Sequence, residues 1–342
     1  MKPRATSPDN PLMQTLLQRL RQLSPRTVGL LAAIITVGIW STFIVIARAS
    51  ASRHMLPLDI AWARIVGASL ILLPWGWWLT RRAKAQGQHI GSLGGLSPLP
   101  LKTTVQAGFF GGLAYAVLSY CGFFFAPAAH ASVLMPGFLP VWTSLLALVL
   151  LGERLHGNRL AGLAFILSGG MLVGGASLLH AFDGGTVWVG DLLFLSASFC
   201  WSTYSVISRR LGLQAVPATI AVTCFAFVSY VPLYLVLAWT GLIPSHLFSA
   251  PVGELVFQTL FQGWGSVVIS GITFTQMIRY YGPVRSTMIT SLVPGLSALG
   301  AVVFLDEPLG WHLLLGLSLV TAGILFGVRK APVAAVAVEA KA

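Results

Sequence analysis

Fixed charge is the scarcest commodity in this chain. Of its 342 residues only 9% are Asp, Glu, Lys or Arg, against 56% hydrophobic residues, where a soluble protein carries about 25% charged residues. That deficit, with a mean hydropathy of +0.82, excludes an ordinary soluble enzyme, and no stretch is polar enough to form a separate soluble domain. The nine acids are Asp9, Asp59, Glu153, Asp183, Asp191, Glu254, Asp306, Glu307 and Glu339. None falls near the middle of an apolar run. A proton-driven carrier usually holds an ionisable group on its pathway, so proton coupling is not evident, and His130, Asp59 and Asp191 at run boundaries are the positions left for it. Cysteine is also scarce. Cys121, Cys200 and Cys224 are odd in number, lack metal-ligand spacing and read as small core residues. There is no phosphate-binding loop, no metal cluster and no nucleophile–base grouping. The chain is therefore expected to be no enzyme and to need no cofactor and no metal.

What is present is a series of long apolar runs. Ten of them, near 27–49, 57–79, 102–125, 130–151, 157–178, 187–208, 216–239, 254–279, 283–304 and 309–328, approach the ~20 residues that span a bilayer. Backbone in lipid must satisfy its own hydrogen bonds, so the runs are expected to be helices and the fold all-α. The formal net charge of +12 would suggest nucleic acid in a soluble protein. Here the basic residues lie between the runs, so the expected partner is membrane lipid and not nucleic acid. Placing the N-terminus in the cytoplasm puts 18 of the 21 Lys and Arg inside, with Arg48 and Arg53 outside and Arg64 within a run. This lopsided count predicts an integral membrane protein with both termini cytoplasmic. The N-terminus is too polar and the first run too long for a cleaved signal peptide.

The runs repeat. Trp40-Ser41-Thr42-Phe43 through Arg48 recurs 161 residues later as Trp201-Ser202-Thr203-Tyr204 through Arg209. Pro140, Glu153, Leu155, Gly162 and Gly169 recur 154 residues later as Pro294, Glu307, Leu309, Gly316 and Gly323. The chain thus divides into a cytoplasmic segment 1–26, a five-helix unit 27–178, a second five-helix unit 187–328 and a cytoplasmic tail 329–342 expected to be mobile. Five is odd, so the second unit enters the membrane from the opposite side. Inverted repeats of this kind are the sign of an alternating-access transporter with its site between the halves. Within 12–23, Leu12, Leu16, Leu20 and Leu23 share one helical face, which fits a helix lying on the inner leaflet as well as it fits an irregular tail.

Candidate binding residues follow from this pattern. Thr36, Trp40, Phe43 and Ala47 share one face of the first helix, and Ala197, Trp201, Tyr204 and Ser208 repeat it in the sixth. With Ser41, Thr42, Ser202 and Thr203 they offer aromatic walls and hydroxyls to a small amphipathic solute. The competing reading is helix packing, with each hydroxyl bonded back to its own backbone. Pro136-Gly137, Pro140 and Pro294-Gly295 interrupt the fourth and ninth helices and free carbonyls there, toward a substrate cavity or simply in a bend that serves packing. Tyr115, Tyr120 and Gln276 are further polar groups in apolar runs. Arg64 lies about 9 Å below the outer surface at ~1.5 Å per residue. A carboxylate-bearing substrate, the outer headgroups, or a static bond to Asp59 would each account for it.

Ten helices in a five-helix duplication, Trp-Ser-Thr in helices 1 and 6, the arginine early in helix 2, and Leu151-Gly152-Glu153-Arg154-Leu155 with Leu305-Asp306-Glu307-Pro308-Leu309 together resemble the EamA type of the drug/metabolite transporter superfamily. The resemblance covers about residues 27–330. It implies a secondary transporter of a bacterial inner membrane, with a central cavity bounded by both halves and a small-molecule substrate. Amino acids or related metabolites, moved outward, are the first expectation. The small four-helix multidrug members carry a mid-membrane glutamate in helix 1; this chain has none there, which argues against cation–proton antiport. A non-transporting scaffold or receptor, or a lipid-modifying membrane enzyme, is the alternative.

Overall fold

The computed structural model describes residues 24–50, 53–88, 91–126, 130–131, 133–153, 157–180, 185–305 and 311–328. The amphipathic run 12–23, the tail 329–342 and the Asp306–Leu309 motif lie outside the described residues. The described chain is all-helical apart from loops and one isolated bridge between Ser92 and Ser97. We label the helical stretches α1 (Pro25–Ser50), α2 (Pro57–Ala85), α3 (Leu101–Gly108, Phe109–Leu113 and Ala114–Gly122) and α4 (Val133–Leu151). They continue with α5 (Gly157–His180), α6 (Val187–Arg210), α7 (Ala215–Trp239), α8 (Val252–Tyr281), α9 (Pro283–Thr290 and Val293–Leu305) and α10 (Trp311–Val328). Six helices among the described residues are long and apolar enough to cross a membrane: α1, α2, α4, α7, α8 and the stretch Pro283–Phe304. Their outward faces are apolar, with Val149, Val303, Phe304 and Trp239 all exposed, as a lipid-facing surface requires.

Helix α2 runs six residues past the apolar run that announces it. There Arg81 lies over the Trp77 ring at 3.7 Å and Arg82 over Trp78 at 5.4 Å. The basic side chains cover indole faces while their charges reach water, so the helix continues beyond the apolar zone. The linker that follows folds back onto α2. Ser92 and Ser97 exchange backbone hydrogen bonds of 2.9 and 3.2 Å, and Ser97 bonds Thr104 at 2.7 Å.

Three stretches depart from α geometry and form π-type turns: Phe109–Leu113 in α3, Val133–Gly137 in α4 and Thr259–Ile269 in α8. In α3 the widening begins after 8 helical residues and in α8 after 7. A π turn adds a residue to the turn and re-aims the side chains that follow, and such turns concentrate at functional sites. Pro136 lies inside the α4 stretch, where its ring prevents the regular i→i−4 bond.

Helices α5 and α10 pack through four glycines. A Cβ at Gly169 would sit 2.6 Å from the Gly316 carbonyl oxygen, and one at Gly323 would sit 2.5 Å from that of Gly162. Backbones approach this closely only where no side chain intervenes, and such contacts drive association where lipid removes the hydrophobic effect. Gly169→Leu is therefore expected to destabilise the fold by at least the ~1–3 kcal/mol typical of overpacking. A thermal melt in detergent checks this, with Gly38→Ala as the control, since nothing lies within 4 Å of a Cβ there. An unshifted melt for Gly169→Leu would contradict the packing.

A polar knot closes one end of the bundle. The fully buried Asp59 carboxylate accepts from the backbone N–H of Leu56 (2.9 Å) and of His246 (3.0 Å) and from the Tyr234 hydroxyl. Tyr234 also bonds Ser245 (2.8 Å), and Tyr230 donates to the Leu58 carbonyl (3.1 Å). Glu254 accepts from the Met55 N–H at 3.2 Å and lies 3.5 Å from His54. The α1–α2 and α7–α8 connections are thereby tied to each other.

Candidate functional site

The site is built from α1, α2, α3, α4, α6, α8 and α9. Helix periodicity puts Trp40 and Phe43 on one face of α1, and Trp201 on the facing side of α6. Their rings meet: Trp40 and Trp201 are edge-on with centroids 5.7 Å apart. Phe274 lies 5.1 Å from Trp40 and 5.5 Å from Trp201, and Tyr115 lies 4.8 Å from Trp201. The Trp40 indole N–H donates to Ser270 (3.2 Å), and Thr36 bonds Thr273 (2.7 Å), so α1 is pinned to α8 beneath this cluster.

Against the cluster lies a cavity of about 480 Å³, the space open to solvent included, walled by Trp40, Phe43, Arg64, Tyr115 and Trp201 together with Ile44, Met135, Pro136, Leu139, Ser198, Ser266 and Val293. A second lobe of about 530 Å³, the space open to solvent again included, adjoins it between α2, α3, α6, α7 and α8. Arg64, Tyr115, Trp201 and Ser266 line both lobes and form the junction between them. All three π-type stretches reach these walls, through Gly111 and Gly112 in α3, Met135 and Pro136 in α4, and Ser266 and Val267 in α8.

Arg64 is 8% exposed. Its Nη1 donates to Ser266 at 3.1 Å, its guanidinium carbon lies 5.8 Å from the centre of the Phe43 ring, and the Tyr120 hydroxyl is beside it. Among the described residues no carboxylate pairs with it. Asp59, one candidate partner in the sequence, is engaged elsewhere, in the polar knot. A buried guanidinium with spare donors and no counter-ion presents a strong anion-binding group.

Of the candidate residues, Trp40, Phe43, Arg64, Tyr115 and Trp201 line the first lobe, and Tyr204 lines the second while bonding Thr275 at 2.9 Å. Tyr120 stands behind Arg64, 3.5 Å from Gln262. The hydroxyls of Ser41, Thr42 and Thr203 donate to carbonyls one turn earlier in their own helices, those of Val37, Gly38 and Phe199. Ser202 donates to the Leu139 carbonyl at 3.3 Å and so fastens α6 to α4. Pro140 and Pro294 each follow a wall residue, Leu139 and Val293, without lining the cavity. Gln276 belongs to a different groove, with Gln214 and Arg279 between α1, α7 and α8. Pro136, one of the prolines that interrupt the apolar runs, is a wall residue, and Ser198, Ser266 and Met135 are wall residues that the sequence motifs do not single out. His130, which precedes α4, pairs with Asp191 of α6 at 2.9 Å. No group of three or more His, Cys, Asp or Glu able to hold a metal occurs among the described residues.

The chain matches the EamA-like transporter family over residues 27–175 and 188–329. It is 24% identical over 314 residues, 89% of this chain and 96% of the other, to a protein of Escherichia coli (strain K12) described as a probable amino-acid metabolite efflux pump. It is 28% identical over 221 residues, 62% of this chain and 68% of the other, to one of Streptantibioticus cattleyicolor described as a probable terminal-alkyne amino-acid exporter. A solved crystal structure superposes with a TM-score of 0.57 at 23% identity, covering 88% of this chain and 96% of that one; that likeness concerns the fold alone.

Proposed function

Because this chain belongs to the EamA-like transporter family, we propose that it is a carrier, not an enzyme, moving a small carboxylated metabolite across a bacterial inner membrane. The substrate is an amino acid or a related compound, and the direction is outward, as for the two relatives described as an amino-acid metabolite efflux pump and an amino-acid exporter. Ten helices cross the membrane as two inverted halves, 27–178 and 187–328, with both termini in the cytoplasm, and the halves rock about the cavity to expose it alternately. No cofactor takes part.

The observation that carries the reading is Arg64, a buried cation that no carboxylate among the described residues pairs, between two lobes walled by aromatics from both halves. Further support comes from reciprocity. Trp40 and Trp201, equivalent in the two sequence units, touch each other, as two residues near an axis relating the halves would. The contact of Gly169 with Gly316 becomes that of Gly323 with Gly162 when each residue is exchanged for its counterpart 154 residues away. The family match falls in two segments close to the two units.

The test is a thermal-shift panel of amino acids, acylated amino acids, amines and sugars on the purified protein. The best stabiliser is then followed as labelled flux in proteoliposomes. Saturable flux of a carboxylated compound is expected. A protein that passes none of its stabilisers, or only uncharged ones, would overturn the reading.

A further inference from the structure

Resting on the carrier reading, we infer that the two-lobed cavity selects acids whose α-nitrogen carries no charge, N-acylated apolar amino acids above all, over free zwitterionic amino acids. An amino acid brings two charges into the site, and the site has a partner for one. Among the described residues, the lining of the two lobes contains a single charged side chain, Arg64, and no carboxylate. The nearby acids are already engaged. Asp59 accepts from Leu56, His246 and Tyr234, and Asp191 is paired with His130. An ammonium group stripped of water here would meet hydroxyls and ring faces but no anion, a poor exchange for a fully charged group.

The donors of the one charged group point the same way. Arg64 has five N–H groups and no acceptor, and its Nη1 bonds Ser266. A carboxylate meets a guanidinium with complementary charge and geometry, whereas an ammonium beside it meets a like charge.

The shape of the cavity agrees. The carboxyl-bearing carbon of an N-acylated amino acid has two arms. With its carboxylate at the junction, the apolar side chain enters the lobe of Trp40, Phe43, Ile44, Leu139 and Val293. The acylamino arm enters the lobe where Ala68, Gly112, Ala116 and Ala226 leave room beside Thr219 and Thr223.

Quenching of intrinsic tryptophan fluorescence in the purified wild-type carrier tests this with four probes: N-acetylphenylalanine, 3-phenylpropanoate, phenylalanine and phenethylamine. The order of affinity should be N-acetylphenylalanine, then 3-phenylpropanoate, then phenylalanine, with phenethylamine weakest. Phenylalanine should bind roughly tenfold or more below N-acetylphenylalanine, the least that leaving a buried charge unpaired should cause. Phenylalanine binding as tightly as its acylated form would overturn this inference and leave the carrier reading in place. Phenethylamine binding best would overturn both. Failure of all four to bind would reject the apolar-acid class, and the flux assay would then judge the carrier reading by itself.

Discussion

Replacing Arg64 by glutamine is expected to weaken binding of carboxylated substrates by about 10- to 150-fold, the loss of ~1.5–3 kcal/mol that accompanies a charged hydrogen bond. Amide or ester analogues of the same compounds should lose much less. The reason is the position of this guanidinium: it is 8% exposed, it bonds Ser266, and no carboxylate pairs with it among the described residues. A side chain that served only packing, or reached the headgroups, would affect acid and amide alike. Equal loss for both in a titration of purified Arg64→Gln would therefore remove the substrate role. The double variant Arg64→Gln, Asp59→Asn gives a second reading of the same point. With Asp59 held by the polar knot, removing its charge should not restore binding.

Asp59→Ala should act on stability. Its carboxylate is fully buried and satisfies two backbone N–H groups and the Tyr234 hydroxyl. Alanine would leave the two N–H groups without an acceptor and Tyr234 with Ser245 alone, and a buried unsatisfied donor costs about 1–3 kcal/mol. A loss of roughly 3 kcal/mol or more is expected, with Asp59→Asn intermediate because an amide oxygen can still accept. Thermal unfolding in detergent reads the effect. A melting point within a degree or two of wild type for Asp59→Ala would show that the knot contributes little.

Much of the helical layout is legible in the sequence because apolar run length is a strong signal in a membrane protein. Residues that recur in the sequence also meet in space: Trp40 meets Trp201, and Gly162 and Gly169 meet Gly323 and Gly316. Other features lie beyond pattern reading. A serine in an apolar run looks the same whether it bonds its own helix or a neighbour. Ser41, Thr42 and Thr203 do the first, Ser202 fastens α6 to α4, and Ser266 accepts from Arg64. The π-type stretches at 109–113, 133–137 and 259–269 have no side-chain period of their own to betray them, although Phe-Phe-Gly-Gly and Gln-Gly-Trp-Gly mark places where helix propensity is weak. The partners of Asp59 come from residues 56, 234 and 246, a combination that only folding assembles.

The central claim is that this cavity is reached from each side of the membrane in turn. A single cysteine at Ser266, with Cys121, Cys200 and Cys224 replaced, tests it most directly. An impermeant thiol reagent is applied to right-side-out and to inside-out vesicles, with and without the best-binding acid. Alternating access predicts labelling from both sides and protection from both by the bound acid. Labelling confined to one side, whether or not the acid is present, would contradict it.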